Sequence, residues 1–293
     1  MCDKDTIADY DRALARRGLS RRQFAVAGTA ALLASCARAG EGAAGGASGL
    51  TEQLAEIVTP DGKADAFFVH PGNGRHPGVV MWPDIAGLRD ASKEMARSLA
   101  AAGFAVLVVN QYYRNARAPV LKSLPEYFTP EAQARLLPMR EAITPAGTLR
   151  DAAAFVAFLD GQDAVDPARR IGTCGYCMGG PFAVRTAVAV PTRVGAVASM
   201  HGAWLVTDQP DSPHRILRDS KASFLFAIGQ NDDAKAPGDK DALREAASAA
   251  GRPAEIEVYP ADHGWCALDA PFYDKAQADR ANARMIALFA SAL

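Results

Sequence analysis

The sequence predicts an α/β fold with a mostly parallel central sheet and helices on both faces. Three observations carry that expectation. Short apolar runs alternate with helical stretches along most of the chain, as a parallel sheet joined by helical crossovers requires. One of those runs, at 170–174, passes into a helix through Gly175-Tyr176-Cys177-Met178-Gly179-Gly180. Two later runs are followed at once by polar, ionisable loops, at 230–233 and 260–264. In an open parallel sheet, loops at the C-terminal ends of strands share one crevice.

The elements follow in order. Residues 78–81 form a first buried strand, and a helical pattern at 90–102 stops at Gly103, as helix C-termini often do. Residues 104–109 form the next strand. From 115 to 145 the pattern breaks, cut by Pro119, Pro125, Pro130, Pro138 and Pro145. This insert reads either as a partial cover over the crevice or as a loop packed away from it. A helix at 148–159 precedes the strand at 170–174, and a second helix follows at 181–189. Strands at 194–200 and 222–229 come next, then a helix at 239–250 that ends before Gly251. A strand at 255–259 and a helix at 276–290 complete the chain. There is no internal repeat.

The Gly-x-Cys-x-Gly turn has the form of a nucleophile elbow with cysteine in place of serine. Strand and helix cross closely beside the nucleophile, so a side chain at Gly175 or Gly179 would clash. The helix N-terminus behind Cys177 favours a thiolate. The plainer alternative is a buried cysteine in a glycine-rich turn. A nucleophile needs a base, and the base needs an orienting acid. His263 and an aspartate of the 230–233 loop lie just past strands, in the expected chain order. The spacing Gly-x-x-Asp from Gly229 selects Asp232, the preferred choice; Asp-x-x-x-Pro counted back from Pro237 selects Asp233.

With these residues the chain resembles the dienelactone hydrolase family, the cysteine branch of the α/β-hydrolases, over roughly residues 52–293. The motifs are Gly-Tyr-Cys-Met-Gly-Gly, Trp82-Pro83-Asp84-Ile85-Ala86-Gly87-Leu88, Gln111-Tyr112-Tyr113-Arg114 and His263-Gly264-Trp265. The resemblance implies an α/β-hydrolase fold and cleavage of a small ester or lactone through Cys177, His263 and Asp232; no cofactor is expected, and no spacing in the sequence resembles a zinc site. It implies that Asp84, where the family usually has glutamate, contacts the resting nucleophile and promotes its thiolate. The backbone N–H groups of Ile85 and Met178 would form the oxyanion hole. Arg114 would grip a substrate carboxylate, since a guanidinium fork matches it bidentately. The family's second arginine, four residues beyond the histidine, is Ala267 here. Competing readings are a general carboxylesterase or thioesterase, and a non-catalytic small-molecule-binding lipoprotein.

Other candidates are weaker. His201 ends a strand and could line the pocket; His70, His76 and His214 read as loop or surface residues. Cys174 and Cys177 form a C-x-x-C, but their side chains are expected to diverge, which argues against a redox pair. Cys266, near His263, reads as a pocket thiol.

The chain has 293 residues, five cysteines and a formal charge of −1. This balance gives no reason to expect nucleic acid or an anionic membrane surface as a partner. Residues 1–35 read as a twin-arginine export signal, with Ser20-Arg21-Arg22-Gln23-Phe24 followed by a short apolar run too brief to span a bilayer. The export machinery is then a partner, and a periplasmic or exported location follows. Leu33-Ala34-Ser35-Cys36 fits a lipobox that would lipidate Cys36, the only membrane contact expected; Ala37-Arg38-Ala39 fits ordinary signal peptidase. The lipobox is preferred. A cytoplasmic protein with a chance Arg-Arg pair is the plain alternative. Residues 36–51 read as a flexible tether and 52–293 as one α/β domain.

Overall fold

The computed structural model describes residues 49–293, and Arg12 alone before them. The export signal, the lipobox and most of the tether lie outside the described residues. The sequence-based elements begin at Gly78; the structure adds two strands ahead of it. These are β1 (Leu50–Thr59) and β2 (Gly62–Pro71), paired as an antiparallel hairpin. The hairpin begins at Leu50, so the last two residues of the expected tether belong to a strand.

The remaining strands are β3 (Gly78–Trp82), β4 (Ala105–Val109), β5 (Ile171–Tyr176), β6 (Val194–Met200), β7 (Ser223–Gly229) and β8 (Ala254–Tyr259). They form one eight-stranded sheet in the order β1-β2-β4-β3-β5-β6-β7-β8. β2 runs antiparallel to β4, and all pairings from β4 to β8 are parallel. The central strands are buried along their whole length. That is why they read as continuous apolar runs with no alternation.

The helices are α1 (Asp90–Ala101), α2 (Pro130–Glu141), α3 (Pro145–Asp160), α4 (Gly179–Ala189), the short α5 (Pro213–Ile216) and α6 (Gln230–Lys235), α7 (Asp239–Ala249) and α8 (Lys275–Ala292). One apolar layer holds side chains of α3, α4 and α7; the opposite layer holds those of α1 and α8. The helices therefore cover both faces. Strand order reverses between β3 and β5, because β4 lies on one side of this pair and β6 on the other. The chain leaves β3 for α1 on one face and β5 for α4 on the other, which opens a crevice at their C-terminal ends.

Candidate active site

The turn after β5 is sterically determined. A Cβ on Gly175 would lie 1.9 Å from the Gly179 carbonyl oxygen, and one on Gly179 would lie 2.3 Å from that of Trp82. Cys177 between them takes φ +53°, a conformation few non-glycine residues adopt. The strain is braced. The Cys177 carbonyl accepts the N–H groups of Gly180 and Ala203, both at 3.0 Å. The Trp82 indole donates to Thr186 Oγ1 at 2.9 Å, tying β3 to α4.

Cys177 and His263 line one cavity with Asp84, Ile85, His201 and Ala267. Asp232 lies in the first turn of α6, directly after β7, is almost fully buried, and its Oδ2 lies 2.8 Å from His263 Nδ1. The His263 backbone N–H donates to Asn231 Oδ1 at 2.7 Å, which fixes the loop after β8 against the loop after β7. Asp233 points elsewhere and pairs with Lys240 at 2.6 Å. Of the two aspartates left open by the sequence, Asp232 meets the histidine.

His201 is a closer neighbour of the elbow than its sequence position suggested. Its φ is +41°, and its Nδ1 accepts the Cys177 N–H at 3.1 Å. The proton of the neutral ring is therefore on Nε2. Its ring lies 4.9 Å from that of His263 and 5.2 Å from that of Trp265. Burial, and then His263 beside it, hold His201 well below the ordinary histidine range. It stays neutral at physiological pH.

Two expected side chains have other partners. The Asp84 carboxylate does sit in the cavity wall, but Arg89 takes both of its oxygens, at 2.8 and 2.9 Å. Asp84 Oδ1 also accepts the Ala86 N–H at 2.8 Å. Arg89 is itself buried and reaches Asp269 at 2.7 Å, whose carboxylate accepts the Leu124 N–H. Burial alone would lower the Arg89 pKa, but Asp84 and Asp269 outweigh it and hold the guanidinium charged. Arg89 and Asp269 lie 180 residues apart, so no local signal marks this bridge.

Arg114, the other, lies away from the cavity. Its guanidinium binds Asp151 at 2.8 and 2.9 Å and Asp61 at 2.6 Å. It packs over Tyr113, whose hydroxyl donates to Asp151 at 2.7 Å. The network pins the β1–β2 turn to α3, and Arg114 is not in the cavity wall. Its fork is already filled by carboxylates from its own chain. Arg114→Ala is therefore expected to destabilise the fold by about 2 kcal/mol, because Asp151 stays buried without its cation. KM should change by the same small factor for acidic and neutral esters. Denaturant unfolding alongside KM for both substrates checks this.

Cys174 and Cys177 do diverge: they belong to apolar layers on opposite faces of the sheet. Cys266 lies with Cys174, away from the cavity, which corrects its reading as a pocket thiol. Burial pushes the thiols of both well above the usual range. The insert at 115–145 serves as a cover: Leu124, Tyr127 and Phe128 close the cavity opposite Phe272. The Tyr112 hydroxyl sits 2.9 Å from the Ile85 carbonyl and 3.3 Å from Met178 Sδ, bracing the loop after β3 against the turn after β5.

The chain is 28% identical over 236 residues to a Methylorubrum extorquens protein named "Putative carboxymethylenebutenolidase", covering 78% of this chain and 76% of that one. A Klebsiella pneumoniae structure described as a "Putative Dienelactone Hydrolase" superimposes with a TM-score of 0.70 at 24% identity, over 82% of this chain and 98% of that one. A dienelactone hydrolase-like promiscuous phosphotriesterase from metagenomic libraries gives 0.67 at 22%, over 84% and 99%. Both structures share the fold. The model of the dienelactone hydrolase family matches residues 64–293, and the chain belongs to that family.

Proposed function

We propose that this ester- and lactone-type hydrolase acts through Cys177, His263 and Asp232 and takes neutral, apolar acyl groups. The observation that carries the mechanism is the 2.8 Å contact between Asp232 and His263 in the cavity that the strained Cys177 lines. His263 Nε2 takes the thiol proton while Nδ1–H donates to Asp232. The sulfur attacks the carbonyl carbon, and the Ile85 and Met178 amides hold the oxyanion. The C–O bond then breaks, and His263 returns the proton to the departing alcohol, which in a lactone stays tethered to the acyl group. Water, deprotonated by His263, attacks the thioester, and the acid leaves as the thiol is reprotonated. Both Asp84 oxygens already accept from Arg89, so the proton of Cys177 is assigned to His263 and not to Asp84.

The preference for neutral acyl groups rests on the cavity wall. Leu124, Tyr127, Phe128, Ala267 and Phe272 supply most of it, and the nearby guanidinium, Arg89, is spent on two aspartates. A buried carboxylate without a counter-ion is strongly disfavoured. The cavity offers about 30 Å³ to the centre of a water molecule, room for about two waters. Entry of an ester therefore requires the cover at 124–128 to shift. Hydrolysis of p-nitrophenyl butyrate and of its monosuccinate counterpart tests the preference. The neutral ester is expected to have at least a tenfold higher kcat/KM, because one missing charge-assisted contact is worth about that factor. A faster acidic ester would overturn the reading.

We also propose that the protein is exported by the twin-arginine route and held at the membrane by a lipid on Cys36. The support is the Ser20-Arg21-Arg22-Gln23-Phe24 motif and the Leu33-Ala34-Ser35-Cys36 sequence. Among the described residues no helix is long and apolar enough to cross a membrane. Replacing Arg21 and Arg22 with lysine is expected to leave the precursor in the cytoplasm of a bacterial host. Cys36→Ala should convert a membrane-associated product into a soluble one. A wild-type product that is soluble and begins near Gly40 would refute the lipid anchor.

A further inference from the structure

A second concavity of about 420 Å³ lies on the other side of the elbow helix. Its walls include Met178 and Phe182 from the elbow and α4, Arg140 and Ile143 from the insert, and Trp204 from the loop after β6. Arg185 of α4 also lines it and is unlike the buried Arg89 and the partly buried Arg114. Arg89 and Arg114 each hold two carboxylates at 2.6–2.8 Å. Arg185 is only 9% exposed, yet its Nη2 reaches Asp211 at 3.4 Å to the carbonyl and 3.8 Å to the carboxylate, and its buried Nε has no acceptor.

A desolvated guanidinium without close counter-charge is costly. Burial accordingly pulls its pKa down, only partly offset by Asp211. Two acids, Glu141 and Asp211, also line the groove, but both are more exposed than Arg185. The deepest charge is the cation. Beside it stands Trp204, held at φ +55°, with the Arg140 guanidinium 5.7 Å from its ring. A flat apolar body could lie on that ring while a carboxylate meets the Arg185 fork.

We propose that this groove is a binding site for a small aromatic carboxylate, separate from the catalytic cavity. Arg185 binds the carboxylate, and Trp204, Phe182 and Ile143 contain the ring. Met178 and Phe182 connect the site to the elbow. The site does not depend on the catalytic assignment, and its test does not read turnover.

The test is titration of the purified protein with benzoate and with benzamide, its neutral counterpart, by calorimetry and tryptophan fluorescence. Trp82 and Trp265 are buried in the core, so a change in emission reports Trp204. Benzoate should bind saturably and at least tenfold more tightly than benzamide, the factor expected for one charge-assisted contact. Arg185→Gln should weaken benzoate at least tenfold and leave benzamide unchanged; Trp204→Phe should abolish the fluorescence change. If Arg185→Gln does not fold, the benzoate-to-benzamide ratio on the wild type decides. Protein alkylated at Cys177 by iodoacetamide should bind benzoate as before. Equal binding of benzoate and benzamide, unchanged affinity in a folded Arg185→Gln, or loss of binding on alkylation would each overturn the proposal. So would inorganic phosphate binding as tightly as benzoate.

Discussion

Cys177→Ala is expected to reduce ester turnover by about five to six orders of magnitude, as removal of a nucleophile does in a concerted triad. The fold should survive. Alanine keeps the Cβ at φ +53°, so the backbone strain is the same, and only one sulfur is lost. The bracing of the turn uses the Cys177 backbone and not its side chain. Iodoacetamide should modify Cys177 far faster than Cys174 or Cys266 at neutral pH. Burial pushes both of those thiols well above the usual range, Cys177 alone of the three lines the cavity, and reactivity follows thiolate content and access. A burst of p-nitrophenol equal to the enzyme concentration should precede the steady state and vanish in the variant. Retained turnover in Cys177→Ala, or equal labelling of the three cysteines, would remove Cys177 from the mechanism.

Asp232→Asn should lower kcat by about 10³–10⁴, whereas Asp233→Asn should change it by only a few fold. The larger figure follows from what the carboxylate does. It fixes the imidazole with Nδ1–H towards itself and stabilises the cation formed during attack. An amide supplies no charge and favours the wrong tautomer. Asp232 is 6% exposed and 2.8 Å from His263 Nδ1, so no water substitutes for the missing charge. Asp233 is a partly exposed partner of Lys240, and pairs of that kind contribute little. Steady-state kinetics of both variants, with Tm as a folding control, decides the matter. A larger loss in Asp233→Asn would reverse the assignment.

The elbow was legible because its signal is local. Gly175, Cys177 and Gly179 lie within five consecutive residues, and the clash that demands the glycines arises inside one strand–turn–helix unit. The central parallel strands were legible because burial on both faces makes each a continuous apolar run. The β1–β2 hairpin was not. β1 is an edge strand with Leu54 and Val58 largely exposed, so it lacks the apolar run that marks a buried strand.

By itself the sequence determined the fold class, from its alternation of apolar runs and helices, and the glycine-flanked turn at Cys177, which is fixed by residues adjacent in the chain. The tertiary structure decided which charges find each other. Asp232 over Asp233 depends on how α6 leaves β7. The capture of Asp84 by Arg89 depends on Asp269 arriving from the far end of the chain. The pairing of Arg114 with Asp61 and Asp151 depends on the hairpin and α3 bringing them together. A guanidinium binds whichever carboxylate the fold brings within hydrogen-bond distance. Sequence spacing cannot specify that choice, because strand pairing and helix packing set the distances.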